Sequence, residues 1–300
     1  MMLRRLPDLD SLQLLLEVAA TGSLGRAAAA HGLSQPAVSA RIKSIERLVG
    51  LPLVERRAQG SRLTPAGALV ADWARDVLTA ATALEAGVTS LRASRDGRLR
   101  VAASLTVAEH LLPRWLVRFA ADHPTTAVSL TAKNSADVSS AVLQGTADLG
   151  FVEGPTVPDG LDAHPVARDR LRVVVPPSHP WAKRRHLLDA AELAGTRLVH
   201  REQNSGTRAS LEAALAEYGP MADPLMELST TSAVRSAVVA GAGPAVLSDL
   251  AVHDDIASGR LVEVKVRGAD LTRVLRAVWP AGQRPTGPAR DLLAIAGHPN

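Results

Sequence analysis

Two groups of residues carry the chemistry of this 300-residue chain. Between residues 23 and 64 stand Ser23, Gln35, Pro36, Ser39, Arg41, Lys43, Arg56, Arg57 and Arg62. Side chains of these types hold phosphate oxygens and meet base edges. In the second half, Ser104 with Thr106, and Ser205 with Thr207 and Arg208, each follow an expected strand and open an expected helix. Hydroxyls and the free N–H groups of a helix start then point at one spot, which suits a carboxylate or another oxyanion. Each Ser or Thr alone reads as an ordinary N-cap, so the signal is the pair of clusters.

Enzyme chemistry does not assemble. Cys 0 removes a thiol nucleophile, a disulfide framework and a Cys-based zinc site. The nine histidines are scattered, none in a His-Glu-x-x-His pattern, and His179 and His186 read as loop residues around Trp181. Neither Ser104 nor Ser205 sits in Gly-x-Ser-x-Gly, and no Gly-rich run matches a phosphate loop or dinucleotide turn. The expectation is a binding protein with no catalytic residue, metal or cofactor.

The elements that must position the first group are short helices. Ser23 caps one that runs through Arg26 and Ala27 to Ala30 and stops at Gly32. Ser34 caps the next, Pro36 sits in its first turn, and Val38, Ile42, Ile45 and Leu48 recur on one face. Gln35, Ser39, Lys43 and Arg47 lie on the opposite face. Two helices joined by so short a turn, the first rich in alanine, read as a helix-turn-helix whose second helix enters the major groove. Leu51 to Leu63, with Arg56, Arg57, the turn Gln59-Gly60 and Arg62, reads as a basic wing.

Charge supports this independently. Residues 1–66 hold nine Lys/Arg, Arg4 and Arg5 among them, against five acids; the rest of the chain carries 25 of each sign, so the net +4 resides in that segment. A solvated basic face is the bland alternative for the charges by themselves. No Phe, Tyr or Trp precedes Trp73, so unpaired bases have no stacking platform and the expected partner is double-stranded DNA.

Thr64 and Pro65 then open a long amphipathic helix with Leu69, Trp73, Val77, Ala80, Leu84, Val88 and Leu91 in one stripe. The stripe either covers its own domain or pairs with a second copy; so long a helix beside so small a domain favours pairing into a homodimer, which calls for an inverted-repeat DNA site. After Arg95-Asp96-Gly97, strand candidates at 99–103, 128–131, 148–152, 171–175, 197–200, 224–228, 244–247 and 261–266 alternate with helical stretches at 105–121, 135–144, 207–218 and 231–240. That order predicts α/β architecture with mainly parallel sheets, as one large domain or two lobes.

The chain resembles the LysR-type transcriptional regulators in Ala27-Ala28, Leu33-Ser34-Gln35-Pro36-Ala37-Val38-Ser39, Ile42-Lys43, Glu46, Arg56-Arg57 and Leu63-Thr64-Pro65-Ala66-Gly67. Ala40 departs from the family's frequent Arg, with Arg41 next to it, and Val54 stands where Phe is common. The resemblance implies a winged helix-turn-helix at 1–64, a dimerisation linker helix at 65–94 and a two-lobed, periplasmic-binding-protein-like effector domain at 95–300. Lobe 1 is expected at 97–166 and 269–300 and lobe 2 at 167–268, with crossings near 165–168 and 268–271. It also implies that Gln35, Pro36 and Ser39 meet bases, that Ser23 and the wing arginines hold phosphates, and that subunits form a homotetramer that recruits or exposes RNA polymerase.

The effector half is similar to the CysL-like branch, regulators of sulfite reductase operons, in residues 104–113, in 148–155 with Glu153-Gly154-Pro155, in 201–208, and in Met226-Glu227-Leu228. Gln203-Asn204 and Pro244 depart from that pattern. The resemblance implies a sulfur oxyanion such as sulfite or sulfate, bound by Ser104, Thr106, Ser205 and Thr207 with help from Asn134 or Arg208; a carboxylate or phosphorylated metabolite is the alternative. Glu153 would repel an anion unless Arg201 or Arg208 compensates it or a proton is shared. A transporter's solute-binding protein would suit the second half alone. It needs an export signal, and the apolar run at 12–20 is broken by Gln13 and Glu17. No run of about 18 apolar residues offers a membrane span, so the expectation is a cytoplasmic regulator.

Overall fold

The computed structural model describes residues 6–57, 60–95 and 97–298. Arg4, Arg5, Gln59 and Asp96 lie outside the described residues, as do the side chains of Arg56, Arg57 and Leu91. The chain divides into two compact units, Met1–Leu84 and Glu85–Asn300.

In the first unit α1 (Leu9–Thr21), α2 (Leu24–Ala30) and α3 (Gln35–Val49) precede the antiparallel hairpin of β1 (Val54–Arg57) and β2 (Gly60–Leu63). Asp8 caps α1 by accepting the Ser11 N–H at 2.9 Å. The turn between α2 and α3 passes through Gly32 at φ +64°, where a side chain would be strained. Leu14, Leu15 and Val18 of α1 meet Leu24, Ala27 and Ala28 of α2 and Val38, Ile42 and Ile45 of α3 in one core. Alanines at the α2 contact allow this close approach. Leu48, expected on that buried face, is 39 % exposed, and Val49 packs against the core at this end of α3 instead. Val54 of β1 packs against this core.

The helix α4 (Pro65–Arg95) follows. Thr64 caps it by accepting the Gly67 N–H at 2.9 Å. Ala66 and Val70 pack on the first core, and Ala71 and Ala74 are buried. The expected stripe is a different face: Leu69, Trp73, Val77, Leu84 and Val88 are exposed, Trp73 by 62 % and Leu84 by 70 %.

The second unit contains β3 (Arg98–Ser104), α5 (Leu105–His110), α6 (Leu112–Asp122), β4 (Ala127–Lys133), α7 (Ser135–Leu143), β5 (Leu149–Val152), β6 (Leu161–Val175), β7 (Leu188–Asp189), α8 (Ala190–Ala194), β8 (Val199–Arg201), α9 (Gly206–Ala214), β9 (Met226–Leu228), α10 (Thr231–Val239), β10 (Ala245–Ser248), α11 (Asp249–Ala257), β11 (Val262–Val264), β12 (Val266–Arg267), β13 (Thr272–Pro280) and α12 (Gly287–Gly297). Strand order is β4-β3-β5-β13-β6-β10-β8-β9, with β11 also on β6 and a separate parallel pair β12-β7.

The outer strands are parallel, as expected, but the centre is not. Along β6, residues 161–170 pair antiparallel with β13, and residues 171–175 pair antiparallel with β10 and β11. One long strand thus passes out of the first lobe into the second and β13 brings the chain back. Two strands that cross the same divide in opposite senses pair antiparallel. Pro165 interrupts β6 opposite a register shift at Leu275/Arg276, where the ladder tolerates a missing N–H. Each lobe has its own core, around Leu99, Trp115, Phe119 and Leu275 in the first and Leu171, Leu193, Leu211 and Val246 in the second.

Candidate nucleic-acid interface and effector cleft

In the first unit α3 presents Gln35, Pro36, Arg41 and Lys43 to the surface, with Ser39 partly exposed. Ser34 caps the helix through the Ala37 N–H. Ser23 performs the same role for α2, accepting from the Arg26 N–H at 3.4 Å. Arg41 lies 3.9 Å from Asp10 of α1. Arg62 is exposed on β2. Arg56 and Arg57 are placed on β1 by their backbone alone, their side chains lying outside the described residues.

Two contacts fix the wing against the helices. Glu46 of α3 accepts the Leu53 and Val54 N–H groups at 2.8 and 3.1 Å, and the Ser61 N–H reaches the Gly22 carbonyl at 2.9 Å. Gly22 ends α1, so these bonds tie the hairpin to both α3 and α1. Arg26, which the sequence left as a helix residue, donates to the Thr21 carbonyl beside this turn.

The second unit brings Thr106, Glu153 and Thr207 together on a residue that sequence reasoning missed. Arg273 of β13 donates from Nη1 to Thr207 Oγ1 at 3.1 Å and from Nη2 to Thr106 Oγ1 at 3.4 Å. Its Nη2 lies 3.1 Å from Glu153 Oε2, and its Nε donates to Asp169 Oδ2 at 2.8 Å. Thr106 belongs to the first lobe and Thr207 to the second, so the guanidinium joins the lobes at the strand that connects them. Thr207 Oγ1 in turn donates to Glu153 Oε1 at 3.2 Å, and Ser210 Oγ to the Glu153 carbonyl at 3.0 Å.

Ser104 and Ser205 open α5 and α9, yet neither side chain caps its helix. Both hydroxyls are buried without a hydrogen-bond partner. A buried hydroxyl left unpaired is costly, and these two stand at helix starts on opposite lobes.

Arg208 and Asn134 do not join this cluster. Arg208 pairs with Glu212 and Glu227 at 2.8 and 2.7 Å, and these two carboxylates occupy its charge. Asn134 caps α7, its carbonyl oxygen accepting the Asp137 N–H at 2.9 Å. Neither Arg201 nor Arg208, named in the sequence as two ways to compensate Glu153, does so. Arg201 is bidentate to Glu202 and donates to Thr231, while Arg273 meets Glu153. Arg273 is one of two arginines in residues 271–279 and carries no local signal; Asp169 stands beside the expected lobe crossing.

His200 is buried in the middle of β8, and burial, with the nearby Arg208 charge adding to it, holds its imidazole below the ordinary 6.5. No group of three or more His, Asp or Glu residues that could hold a metal occurs among the described residues.

A winged helix-turn-helix ahead of a two-lobed α/β domain with a buried polar cluster joining its lobes defines a DNA-binding protein governed by a small ligand. The chain belongs to the LysR family of transcriptional regulators. Residues 9–68 match the bacterial regulatory helix-turn-helix protein, lysR family, and residues 92–298 match the LysR substrate binding domain. It is 49 % identical over 300 residues to the HTH-type transcriptional regulator Rv2282c of Mycobacterium tuberculosis (strain ATCC 25618 / H37Rv), covering 97 % of this chain and 96 % of that one.

Its fold is shared by the regulatory domain of Synechocystis PCC6803 CcmR in complex with 2-PG, with TM-score 0.60, 24 % identity, and coverage of 67 % of this chain and 95 % of that one. Full-length CbnR with its target DNA has TM-score 0.51 and 22 % identity, with coverage of 97 % and 100 %. The chain is therefore a DNA-binding transcriptional regulator with an effector-binding domain, not an enzyme. No helix among the described residues is long and apolar enough to cross a membrane.

Proposed function

We propose that this regulator binds an inverted-repeat promoter site as a homodimer paired through α4, and that a small anion held between the lobes modulates that binding. What supports the effector reading is the pair of buried, unpartnered hydroxyls, Ser104 and Ser205, flanking the Arg273 junction. On the likeness to the CysL-like branch, the anion is a sulfur oxyanion such as sulfite or sulfate. The likeness to the CcmR domain, solved with 2-PG, favours a second reading, a carboxylate or phosphorylated metabolite.

What supports pairing is the α4 face left open by its own domain, Leu69, Trp73, Val77, Leu84 and Val88. On α3, Gln35, Pro36 and Ser39 meet bases; Ser23, Arg41, Lys43, Arg56, Arg57 and Arg62 meet phosphates. Two such dimers make a tetramer that bends one promoter region and engages RNA polymerase in the cytoplasm. Anion binding alters lobe closure, and a coupling of about 1–3 kcal/mol suffices to shift the DNA-binding equilibrium.

A thermal-shift screen against sulfite, sulfate, thiosulfate, phosphate and metabolite carboxylates tests the effector. A ligand at 100 times its Kd adds about 2.7 kcal/mol. A shift with a sulfur oxyanion supports the first reading, and a shift only with carboxylates or phosphorylated compounds supports the second. Thr106→Ala with Ser205→Ala is expected to keep DNA binding and blunt the response; a normal response places the ligand elsewhere.

A further inference from the structure

One charge in the buried cluster between the lobes is left over. Asp169 already matches Arg273, with Oδ2 at 2.8 Å from Nε and 2.7 Å from Nη2, while its Oδ1 accepts from Ser248 Oγ at 2.9 Å. Glu153 is thus a second carboxylate against one guanidinium, and the side chains of all three are at most 3 % exposed. Arg201 and Arg208 are engaged by their own glutamates. Glu153 Oε1 accepts from Thr207, whereas Oε2 is buried without a hydrogen bond. The start of α9 closes directly over this side chain: a Cβ on Gly206 would fall 2.6 Å from Glu153 Cγ and 2.5 Å from Ser135 Oγ.

We propose that Glu153 makes this cleft select anions that carry their own hydrogen-bond donor, a hydrogen oxyanion or a hydroxy acid. The inference rests on the anion-effector reading above. The effector's O–H goes to Glu153 Oε2, while its charged oxygens take the hydroxyls of Ser104 and Ser205 and the open N–H groups at the start of α9. A carboxylate can only accept hydrogen bonds. A fully deprotonated oxyanion such as sulfate brings a second acceptor to it, and two buried like charges then face each other with no proton between them. Hydrogen phosphate and hydrogensulfite have a similar shape and carry the proton. Glycolate has a hydroxyl where acetate has none. A site built to pair with a ligand hydroxyl rejects the analogue lacking it, because its own buried polar atom is left unmatched.

The test is titration calorimetry of the full-length protein at pH 7 with two matched pairs, phosphate against sulfate and glycolate against acetate, for the wild type and for Glu153→Gln. The wild type is expected to favour phosphate and glycolate by roughly 10- to 100-fold. The glutamine's NH2 donates, so Glu153→Gln is expected to lose or reverse the preference for phosphate over sulfate. Equal or inverted wild-type preference overturns the donor requirement and leaves the anion reading standing, and so does an unchanged ratio in a folded Glu153→Gln. Binding of none of the four to the wild type overturns the anion reading and this selection with it. The wild-type ratios decide the matter even where Glu153→Gln fails to fold.

Discussion

Arg273 is the residue on which the effector domain depends most. It serves two carboxylates and two threonines, and those groups come from both lobes and the strands between them. Removing it leaves the buried carboxylates of Glu153 and Asp169 with only hydroxyl donors, Thr207 and Ser248, in place of their counter-charge. Arg273→Met is expected to cost about 3–5 kcal/mol, read as a lowered midpoint in urea denaturation; a loss under about 1 kcal/mol would mean the cluster carries no such weight. Lysine would not repair it, since a single ammonium cannot reach Asp169, Thr106 and Thr207 together. Gly206 is constrained by space, and Gly206→Ala is expected to part the lobes at a cost of about 1–3 kcal/mol, seen as lost hydrogen-exchange protection at the start of α9. His200 adds a pH effect. Its folded pKa is below the ordinary 6.5, so the unfolded chain binds more protons as pH falls. Stability is then full above about 6.5 and declines as pH drops toward the folded value. His200→Gln should flatten that decline, and an identical slope in variant and parent would rule this source out.

At the scale of elements, α3 and α4 carry separable tasks. Ser39→Arg, on the outward part of α3, is expected to abolish specific DNA binding and keep the fold, measured by anisotropy alongside circular dichroism. Trp73→Glu with Leu84→Glu is expected to weaken dimerisation in sedimentation experiments while leaving thermal unfolding of the DNA-binding unit in place, because neither side chain packs on its own core. These helices were legible in the sequence because local rules determine them. Ser23, Ser34 and Thr64 cap, Gly32 turns the chain, and valine and isoleucine recur at helical spacing. The strands that organise the second unit were less legible. Half of β6 and all of β13 mix charged and apolar residues without a regular period, and Pro165 breaks β6, so their pairing over 100 residues of separation leaves no local mark. For the same reason the threonines of the cleft were visible at their helix starts while Arg273, their common partner, was not.

Over the whole molecule the basic excess is confined to the DNA-binding end, and the remaining residues are balanced. Operator affinity should therefore fall steeply with salt, with a log–log slope of about −0.9 for each phosphate neutralised. Arg62→Ala should reduce that slope by about one phosphate and weaken all sequences alike. On the proposed function, two copies of this chain read two-fold symmetric duplex DNA through α3. The most direct test is selection of binding sites by the full-length protein from random duplexes, followed by sequencing. An enriched inverted repeat with half-site centres about one helical turn apart, roughly 10 base pairs, and lost by Ser39→Arg, is the predicted result. No enriched sequence, a single asymmetric site, or the same site enriched by Ser39→Arg would contradict it.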